Sequence, residues 1–536
     1  MKSTRVWALM ATRVAIIGGG ISGLAAAKEL RHLEPVVFEA TDSIGGVWKH
    51  CCFRSTRLQT PRPNFEFTDF QWEDRTDPSF PTHTEILDYL HGYATRFGLW
   101  RLIRLQTKVV EVRFVGGGSE AGQFTELWGE KGRAIADRPV WEVGVVTGDS
   151  DSVQWFEFEF VVMCIGKYGD VANLPKFPHG KGPEVFRGKV LHTMDYCKLD
   201  EEAARELMKG KKVVIVGFKK SAIDMAVECA EVNQGEDGQP CTMVIRTLHW
   251  GVPSYYIWGL PFFLFFSTRF SQFLHERPNQ GLLKSLACRL LSPLRTGVSK
   301  FIESYLVWKL PLDKYGLRPE HPFVEDYASC QMATLPENFF SEADQGRIRF
   351  EKSNQWCFWE GGVILDDDTK LEADVVLLAT GYDGKKKLTS VLPDHYGGLI
   401  VDSSGVMPLY RGTIHPLIPH MAFVGYIESV ANLHTSELRC KWLGSLLRGK
   451  FELPTVEEMF RRTREEVEVM KRTTRFYRRH CISTFSIGHS DGLCQDMGWR
   501  SWRKTNWFAE AFAGYGNQDY IAKEEEEKED DSYKNE

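Results

Sequence analysis

The sequence has no long hydrophobic run and little net charge for its length. The first absence argues against a membrane-spanning protein, and the second argues against a protein that binds nucleic acid through its overall charge. Its most apolar stretch, residues 255–266, is about half as long as the roughly 20 residues that a membrane-spanning helix needs, and Pro261 interrupts it. We therefore expect no transmembrane segment. A formal net charge of −6 over 536 residues gives no general attraction to nucleic acid, so no nucleic-acid partner is expected. Much of the negative charge lies near the carboxyl end, where we predict a disordered acidic tail over 521–536.

Paired cysteine motifs are also missing. The 12 cysteines are scattered, none has Cys-x-x-Cys spacing, and Cys51 and Cys52 are adjacent and too close for an ordinary bridge. This pattern favours reduced thiols over a disulfide scaffold or a metal site. Residues 1–11, interpreted as an amino-terminal extension, have a short apolar patch without the hydrophobic core of a signal peptide. We therefore expect a cytoplasmic protein and leave association with the surface of the endoplasmic reticulum open.

A strand pattern, a tight glycine turn and a helix pattern follow one another near the amino terminus. Between the predicted strand 13–17 and the predicted helix 24–33 lie Gly18, Gly19, Gly20, Ile21, Ser22 and Gly23. In such a turn the first glycine permits the bend, the second lets a pyrophosphate approach the backbone, and the third lets the helix pack against the sheet. Glu39 ends the next predicted strand, where a carboxylate can accept from ribose hydroxyls. The acid favours a nucleotide without a 2′-phosphate, hence FAD or NAD.

A double glycine follows the predicted ribose acid. Gly45 and Gly46 would let the backbone run beside the phosphates and ring of a flavin, and Trp48 could pack against that cofactor. A glycine loop with a core tryptophan explains the same residues equally well.

A second strand, turn and helix pattern begins at residue 212. Between the predicted strand 212–216 and the predicted helix 223–232 lie Gly217, Phe218, Lys219, Lys220, Ser221 and Ala222. Lysine stands where the second glycine is usual, so the two lysines are candidates to offer charge to phosphates, and alanine is accepted at the helix-packing position. Arg246 ends the next predicted strand, at the position that Glu39 holds in the first unit. A cation there suits a 2′-phosphate, so the second site favours NADPH, with a plain surface arginine as the alternative.

The repeated order of strand, helix and strand predicts an α/β fold with two doubly wound Rossmann-type dinucleotide-binding domains. Two further predicted strands end in small-residue turns at Gly166 and Gly381, where we place the crossings between the domains. A long aromatic segment exceeds what a nucleotide fold needs and is predicted to be a helical insertion that covers the site. The predicted bounds are 12–166 and 382–520 for the FAD-binding domain, 167–381 for the NADPH-binding domain and about 250–341 for the insertion.

A motif between the two nucleotide units indicates the family. Phe186-x-Gly188-x-x-x-His192-x-x-x-Tyr196 matches the identifying sequence of flavin-containing monooxygenases, whereas Baeyer–Villiger monooxygenases carry tryptophan in place of Tyr196. Over about residues 13–520 the chain resembles this family, and in detail it is similar to plant, defence-associated members that N-hydroxylate pipecolic acid. Shared stretches outside the cofactor motifs include KYGDV, HWGVP, FIESY, ASCQM, LYRGTIHPLIP and RHCISTFSI.

The resemblance implies a monooxygenase that uses FAD, NADPH and dioxygen and forms a flavin hydroperoxide. It also implies that the substrate is a small amine or amino acid and that the reaction serves plant defence, including systemic acquired resistance. Relatives place an asparagine ten residues before an Asp-Phe pair, where it steadies the flavin–oxygen adduct. Here Asp69-Phe70 puts Gln59 at that position, and Asn64 is a second candidate. His192 and Tyr196 are interpreted as structural residues of the linker between the domains.

Several alternatives stay open at this stage. The same flavin chemistry would serve S-oxygenation of thioethers or oxidative decarboxylation of a 2-oxo acid, because the pocket decides the substrate. A disulfide reductase would need a redox-active cysteine pair, which Cys51 and Cys52 do not supply. A simple flavin oxidase would not need the second nucleotide unit. A sensor that binds NADPH and FAD without oxygenation is kept open by Lys219 and Gln59.

Overall fold

The computed structural model describes residues 13–116, 134–401 and 404–523. The predicted extension 1–11 and nearly all of the predicted acidic tail lie outside the described residues. The described chain folds around two five-stranded parallel sheets, one for each glycine turn. This architecture confirms the predicted α/β class with two doubly wound units. The predicted domain bounds themselves stay a prediction.

The first sheet holds the first glycine turn. The central strand Val14–Ile17 is buried on both faces, which explains why its sequence is an unbroken apolar run. On one face, helices Ile21–Glu29 and Asn432–Leu447 pack against the sheet and each other. All five strands are parallel, in the spatial order Met421–Phe423, Phe160–Met163, Val14–Ile17, Val36–Phe38 and Ile103–Arg104. The other face is covered by an antiparallel sheet of Thr107–Phe114, Trp141–Thr147 and Gln154–Phe158.

The second sheet holds the second glycine turn and repeats this plan. Helix Lys220–Val232 packs on one face of the sheet. The parallel strands, in spatial order, are Ile348–Lys352, Cys241–Ile245, Val213–Val216, Val375–Leu378 and Lys189–His192. An antiparallel sheet of Trp356–Trp359, Gly362–Leu365 and Lys370–Glu372 covers the other face. The chain therefore leaves the first sheet after Met163 and returns to it at Met421.

The segment predicted as an insertion contains helices of four to 18 residues and two strand pairs. Its helices are Phe263–Phe266, Arg269–Phe273, Leu282–Leu290, Ser292–Lys309, Phe323–Ala328 and Phe339–Asp344. Gly251–Val252 pairs with Ala333–Thr334, and Tyr256–Ile257 pairs with Leu260–Pro261. Among the described residues, the model has no helix whose length and apolar character would let it cross a membrane.

Further helices complete the two units. The α-helices are Val47–His50, His83–Arg96, Thr193–Tyr196, Glu201–Met208, Gly384–Thr389, Asp394–Gly397, Val456–Thr473, Ser486–Asp496 and Trp507–Phe512. Single 3-10 turns are Arg31–Leu33, Arg62–Asn64, Leu99–Leu102, Pro183–Val185, Tyr477–Arg479, Ser483–Phe485 and Asn517–Tyr520. Both helices after the glycine turns begin three residues earlier than predicted, because their first turns contain the turn residues themselves and lack the apolar spacing that marks a buried helix.

The expectation that every thiol is reduced was wrong at one pair. Cys330 of the insertion and Cys481 near the carboxyl end form a disulfide, although they lie 151 positions apart in sequence. The other ten cysteines are free. Spacing along the chain cannot reveal such a pair, since only the fold brings the two sulfurs together.

The family motif contains a glycine that the second sheet requires. A β-carbon on Gly188 would lie 2.3 Å from the carbonyl oxygen of Asp374 and equally close to the ring of Phe186. We predict that Gly188→Ala lowers the free energy of unfolding by about 1–3 kcal/mol, the usual cost of overpacking. Urea denaturation followed by circular dichroism measures it. Gly297→Ala is the matched control, because a β-carbon there meets nothing within 4 Å and alanine favours the helix. Equal stability of both variants would contradict the packing argument.

Candidate functional site

The first glycine turn leaves the carboxyl end of strand Val14–Ile17. Gly18 has a φ of +107°, and a β-carbon there would lie 2.7 Å from the carbonyl oxygen of Cys164. A β-carbon on Gly23 would lie 1.9 Å from the carbonyl oxygen of Gly18. The two missing side chains let helix Ile21–Glu29 begin directly at the carboxyl edge of the sheet.

At Gly20 the surrounding protein atoms leave room for a side chain, so packing within the protein does not explain why this residue is glycine. A β-carbon on Gly20 would meet nothing closer than the Cα of Gly46 at 3.7 Å, which is ordinary contact. Gly20 is also the N-cap of the helix that begins with Ile21 and Ser22, and its helix end has no side-chain cap. An open approach beside uncapped helix amides is the arrangement that binds a pyrophosphate.

The double glycine lies against this turn. The Gly45 amide donates to the Gly19 carbonyl at 3.1 Å, and a β-carbon on Gly46 would lie 3.3 Å from the Cα of Gly20. Two backbones without side chains therefore face each other at the candidate phosphate site. Trp48 follows in the short helix Val47–His50 and packs edge-on against Phe65, with 5.7 Å between the ring centroids.

Glu39 lies where the sequence predicts a ribose acid. Its Oε2 accepts from the Gly19 amide at 2.6 Å, and its Oε1 accepts from the amide and hydroxyl of Thr41 at 2.9 and 2.7 Å. The side chain is buried directly after strand Val36–Phe38. Because a carboxylate offers about four acceptor positions, it retains capacity for a ligand hydroxyl. The hydrogen bonds orient Glu39 toward the glycine turn.

The second glycine turn repeats part of this geometry. Gly217 has a φ of +139°, and a β-carbon there would lie 2.7 Å from the carbonyl oxygen of Ala379. Its amide donates to the Val244 carbonyl at 3.0 Å. Phe218 and Ala222 are buried, and Ser221 lies in the first turn of helix Lys220–Val232.

The two lysines of this turn have different partners. Lys219 is the N-cap residue, and its ammonium donates to the side-chain oxygen of Gln331 in the insertion. Desolvation by the surrounding protein, together with repulsion from Arg479, lowers the pKa of Lys219 to about 8. Lys220 pairs instead with the buried Asp224 one helical turn away. The charge of Lys220 is therefore balanced within its own helix. The Lys219 ammonium has no such carboxylate partner in the helix and is bonded to the insertion instead.

Arg246 is exposed directly after strand Cys241–Ile245. Its charge adds to the repulsion that lowers the pKa of Lys219, so the two cations are close enough to interact electrostatically. Among the hydrogen bonds and ion pairs of the described residues, none uses the Arg246 guanidinium. The strand ends beside the two glycine turns thus present opposite charges, an acid at the first and a base at the second.

The structure does not bring Gln59 and Asn64 to a shared contact, but it connects both to the insertion. The Gln59 side-chain oxygen accepts from the Thr334 amide at 2.9 Å. The Asn64 amide group donates to the Tyr255 hydroxyl at 2.9 Å. Gln59 is exposed and Asn64 is half-buried.

Glu228 joins the two nucleotide units, and sequence reasoning missed it. This buried carboxylate lies in helix Lys220–Val232, where it accepts from the Ser55 amide at 2.7 Å and the Tyr196 hydroxyl at 2.8 Å. Burial, together with Glu228, raises the pKa of Tyr196. The signal in the sequence was an acid among the apolar residues of a buried helix.

A second buried network lies near the second turn. Glu428 accepts from Lys167 at 2.7 Å, from the Tyr168 hydroxyl at 2.7 Å and from Arg479 at 2.9 Å. Burial alone would raise the pKa of Glu428, but Lys167 and Arg479 outweigh it and lower that pKa. The network fixes the segment that contains Arg479, one of the cations beside Lys219.

One buried cluster in the described part of the chain has the residue types of a metal site. His249 and His321 face the two oxygens of Asp326 at 2.8 and 3.0 Å, and the Trp250 amide donates to the same carboxylate at 2.7 Å. The ring of Phe476 lies beside both imidazoles. Hydrogen bonding within the cluster and the neighbouring charge of Lys219 favour a structural network over a cation site.

Comparison with known proteins agrees with this geometry. The model of the flavin-binding monooxygenase-like family matches residues 11–501. A relative from Arabidopsis thaliana, described as probable flavin-containing monooxygenase 1, is 59% identical over 519 residues, which are 97% of this chain and 98% of the relative. Flavin-containing monooxygenase 5 of Oryctolagus cuniculus is 28% identical over 490 residues, covering 88% of this chain and 80% of the relative.

Solved structures share the fold at lower identity. S-allyl-L-cysteine S-oxygenase from Allium sativum aligns with a TM-score of 0.56 at 20% identity, covering 98% of this chain and 95% of the other. A steroid monooxygenase bound to NADP aligns with a TM-score of 0.62 at 18% identity, covering 90% and 97%. The matches extend over most of the chain, and the fold has two parallel nucleotide units with the family motif between them. The chain therefore belongs to the flavin-containing monooxygenase family and is an oxidoreductase.

Proposed function

We propose that the protein binds FAD at the first glycine turn and NADPH at the second, and that it N-hydroxylates a small amine or amino acid. Pipecolic acid is the first candidate substrate. The observation on which the cofactor assignment depends is the opposite charge of Glu39 and Arg246 at equivalent strand ends. The substrate class and a role in plant defence, including systemic acquired resistance, rest on the sequence stretches shared with defence-associated plant members of the family.

The first turn fits FAD by an observation independent of the motif. Gly20 and Gly46 leave an open approach that a side chain would fill, and the helix amides beside it have no side-chain cap. These amides, from Ile21 onward, would bind the pyrophosphate, and Glu39 would accept from the ribose. FAD supplies the redox and oxygen chemistry when bound, and the protein binds, orients and shields it.

The second turn fits a nucleotide with an extra phosphate. Lys219 and Arg246 supply positive charge that suits the phosphates of NADPH, and Arg479 is near enough to lower the pKa of Lys219. The hydrogen bond to Gln331 holds the Lys219 ammonium toward the insertion, which leaves the turn backbone accessible although lysine replaces the usual glycine. This contact supports the NADPH assignment despite the departure from the common motif.

Gln59 is the better of the two candidates for steadying the reacting group. Its oxygen is engaged by Thr334, and none of the described hydrogen bonds uses its two N–H donors. Asn64 already donates one of its two N–H groups to the Tyr255 hydroxyl, so it has one free donor where Gln59 has two. A group that bears developing negative charge requires donors, and we therefore assign this role to Gln59.

A second candidate reaction is oxygenation of a thioether sulfur. The Allium sativum protein with a similar fold is an S-oxygenase, but its 20% identity does not extend to a substrate assignment. Oxidative decarboxylation of a 2-oxo acid is a third candidate. For location we propose the cytoplasm, on the basis of ten free cysteines among the described residues, and the endoplasmic reticulum surface as the membrane that the protein contacts.

The flavin site is tested by Gly20→Ala. A methyl group there meets the protein only at ordinary contact distance, so the fold should keep its stability while the approach of the pyrophosphate is blocked. We expect the purified variant to contain at most about a tenth of the wild-type FAD, corresponding to a loss of 1.4 kcal/mol or more. Absorbance near the flavin bands measures it, with Gly297→Ala as the control. Full flavin content in Gly20→Ala would refute the assignment of this turn.

The nicotinamide preference is tested by Arg246→Ala. Loss of a charged hydrogen bond to the 2′-phosphate should cost about 1.5–3 kcal/mol, which raises the KM for NADPH roughly 10- to 100-fold and leaves that for NADH unchanged. Stopped-flow flavin reduction with each nucleotide measures both. Arg349→Ala removes an exposed arginine from the neighbouring strand and should change neither value. An unchanged preference in Arg246→Ala would leave the NADPH assignment without its basis.

The reaction is tested by product analysis. With NADPH and isotopically labelled dioxygen, we expect pipecolate to gain one labelled oxygen atom at nitrogen, because the protein directs oxygen to a nucleophile held in its pocket. Mass spectrometry identifies the product, and a panel of acyclic amino acids and thioethers tests selectivity. Far more efficient sulfoxide formation, or release of carbon dioxide from a 2-oxo acid, would replace the amine assignment within the same class.

A further inference from the structure

Helix Leu282–Leu290 presents its apolar residues to solvent. Leu282, Leu283, Leu286 and Leu290 are 90%, 87%, 56% and 72% exposed, and helical spacing places them on one face. The opposite face contains Cys288, the helix's one buried residue. A surface helix normally packs its apolar face against the protein interior, whereas this helix directs its apolar face toward solvent. Such a face requires a partner that covers it.

The leucine face continues into a larger aromatic surface. Lys284 lies 5.7 Å from the ring of Phe273, which links the leucine helix to helix Arg269–Phe273. In that helix Phe270 contacts Phe512, with 5.3 Å between the ring centroids. Helix Trp507–Phe512 extends the chain of rings to Phe508 and Trp507. We define the four leucines together with Phe270, Phe273, Trp507, Phe508 and Phe512 as the leucine–aromatic surface.

The aromatic residues of this surface are exposed as well. Trp507 is 72% exposed and Phe508 is 61% exposed, although both rings are large and apolar. Partly buried ion pairs hold the support beneath them, since Arg269 binds Asp491 at 2.6 Å and also contacts Glu510. The surface is therefore a fixed part of the fold and is contributed by two segments that are far apart in sequence.

The charge beside this surface is basic, although the whole chain is acidic. Helices Leu282–Leu290 and Ser292–Lys309 contain five basic residues and one acidic residue. The acidic residue, Glu303, is buried and engaged by Ser299 and Lys300. The formal charge of the whole chain is −6. Apolar side chains bordered by lysine and arginine are the arrangement that binds an interface of acyl chains and anionic headgroups.

We propose that the leucine–aromatic surface docks onto a phospholipid bilayer with anionic headgroups. The leucines and phenylalanines enter the acyl boundary, and the exposed tryptophan lies at headgroup level. A symmetric contact between two copies would instead oppose two sets of basic residues, which repel each other. The surface holds the protein on the membrane without crossing it, and this proposal does not depend on the identity of the substrate.

Co-sedimentation of the full-length flavoprotein with vesicles tests this proposal. We expect binding to vesicles of phosphatidylcholine with phosphatidylserine, weaker binding to phosphatidylcholine alone, and loss of the difference at high salt. The double variant Leu282→Ser/Leu283→Ser should reduce the partition coefficient at least about tenfold, because it removes the two most exposed apolar side chains. Leu174→Ser changes an isolated leucine that is 57% exposed and should bind like the wild type.

Three outcomes would overturn the proposal. The first is wild-type protein that stays in the supernatant with both vesicle types. The second is equal binding to vesicles by the double variant and the Leu174→Ser control. Sedimentation velocity without lipid identifies the competing occupant: a wild-type dimer that the double variant splits would assign the surface to a second copy. Flavin content and melting temperature, measured on each variant, separate loss of docking from loss of fold.

Discussion

Glu228 is the buried carboxyl group that connects the two nucleotide units. It lies on the helix that begins at the second glycine turn, and it accepts from the Ser55 amide, which follows the double glycine of the first site. The Tyr196 hydroxyl supplies its other donor. A buried carboxyl group without these partners would cost several kcal/mol, so the contact favours the docked arrangement of the two units.

The insertion completes the site from the other side. It reaches the candidate residues of the flavin unit through Thr334 and Tyr255, and the second turn through Gln331. The Cys330–Cys481 disulfide connects it to the carboxyl-terminal part of the first unit. The proposed flavin and nicotinamide sites are thus contacted by three distant parts of the chain, as expected for chemistry that needs a shielded cofactor.

Overall and local charge give opposite indications for this protein. A net charge of −6 argues against a general attraction to anionic surfaces, and it is the sum over the whole chain. The two helices over 282–309 are basic, and the first of them exposes leucine. Because electrostatic attraction is screened within about 10 Å at ordinary ionic strength, the local charge decides what this surface binds.

The sequence by itself determined the two nucleotide folds, because residues 18–23 and 217–222 combine strand, glycine turn and helix in local patterns that fix the backbone. It also placed Glu39 and Arg246 at equivalent strand ends, since strand length and spacing are local properties. Only the tertiary structure decided which acid is buried at the interface, that Lys219 bonds to Gln331, and that Cys330 meets Cys481. It alone decided which apolar helix face points to solvent. The three contacts join residues more than 30 positions apart, and periodicity along the chain holds no information about such contacts.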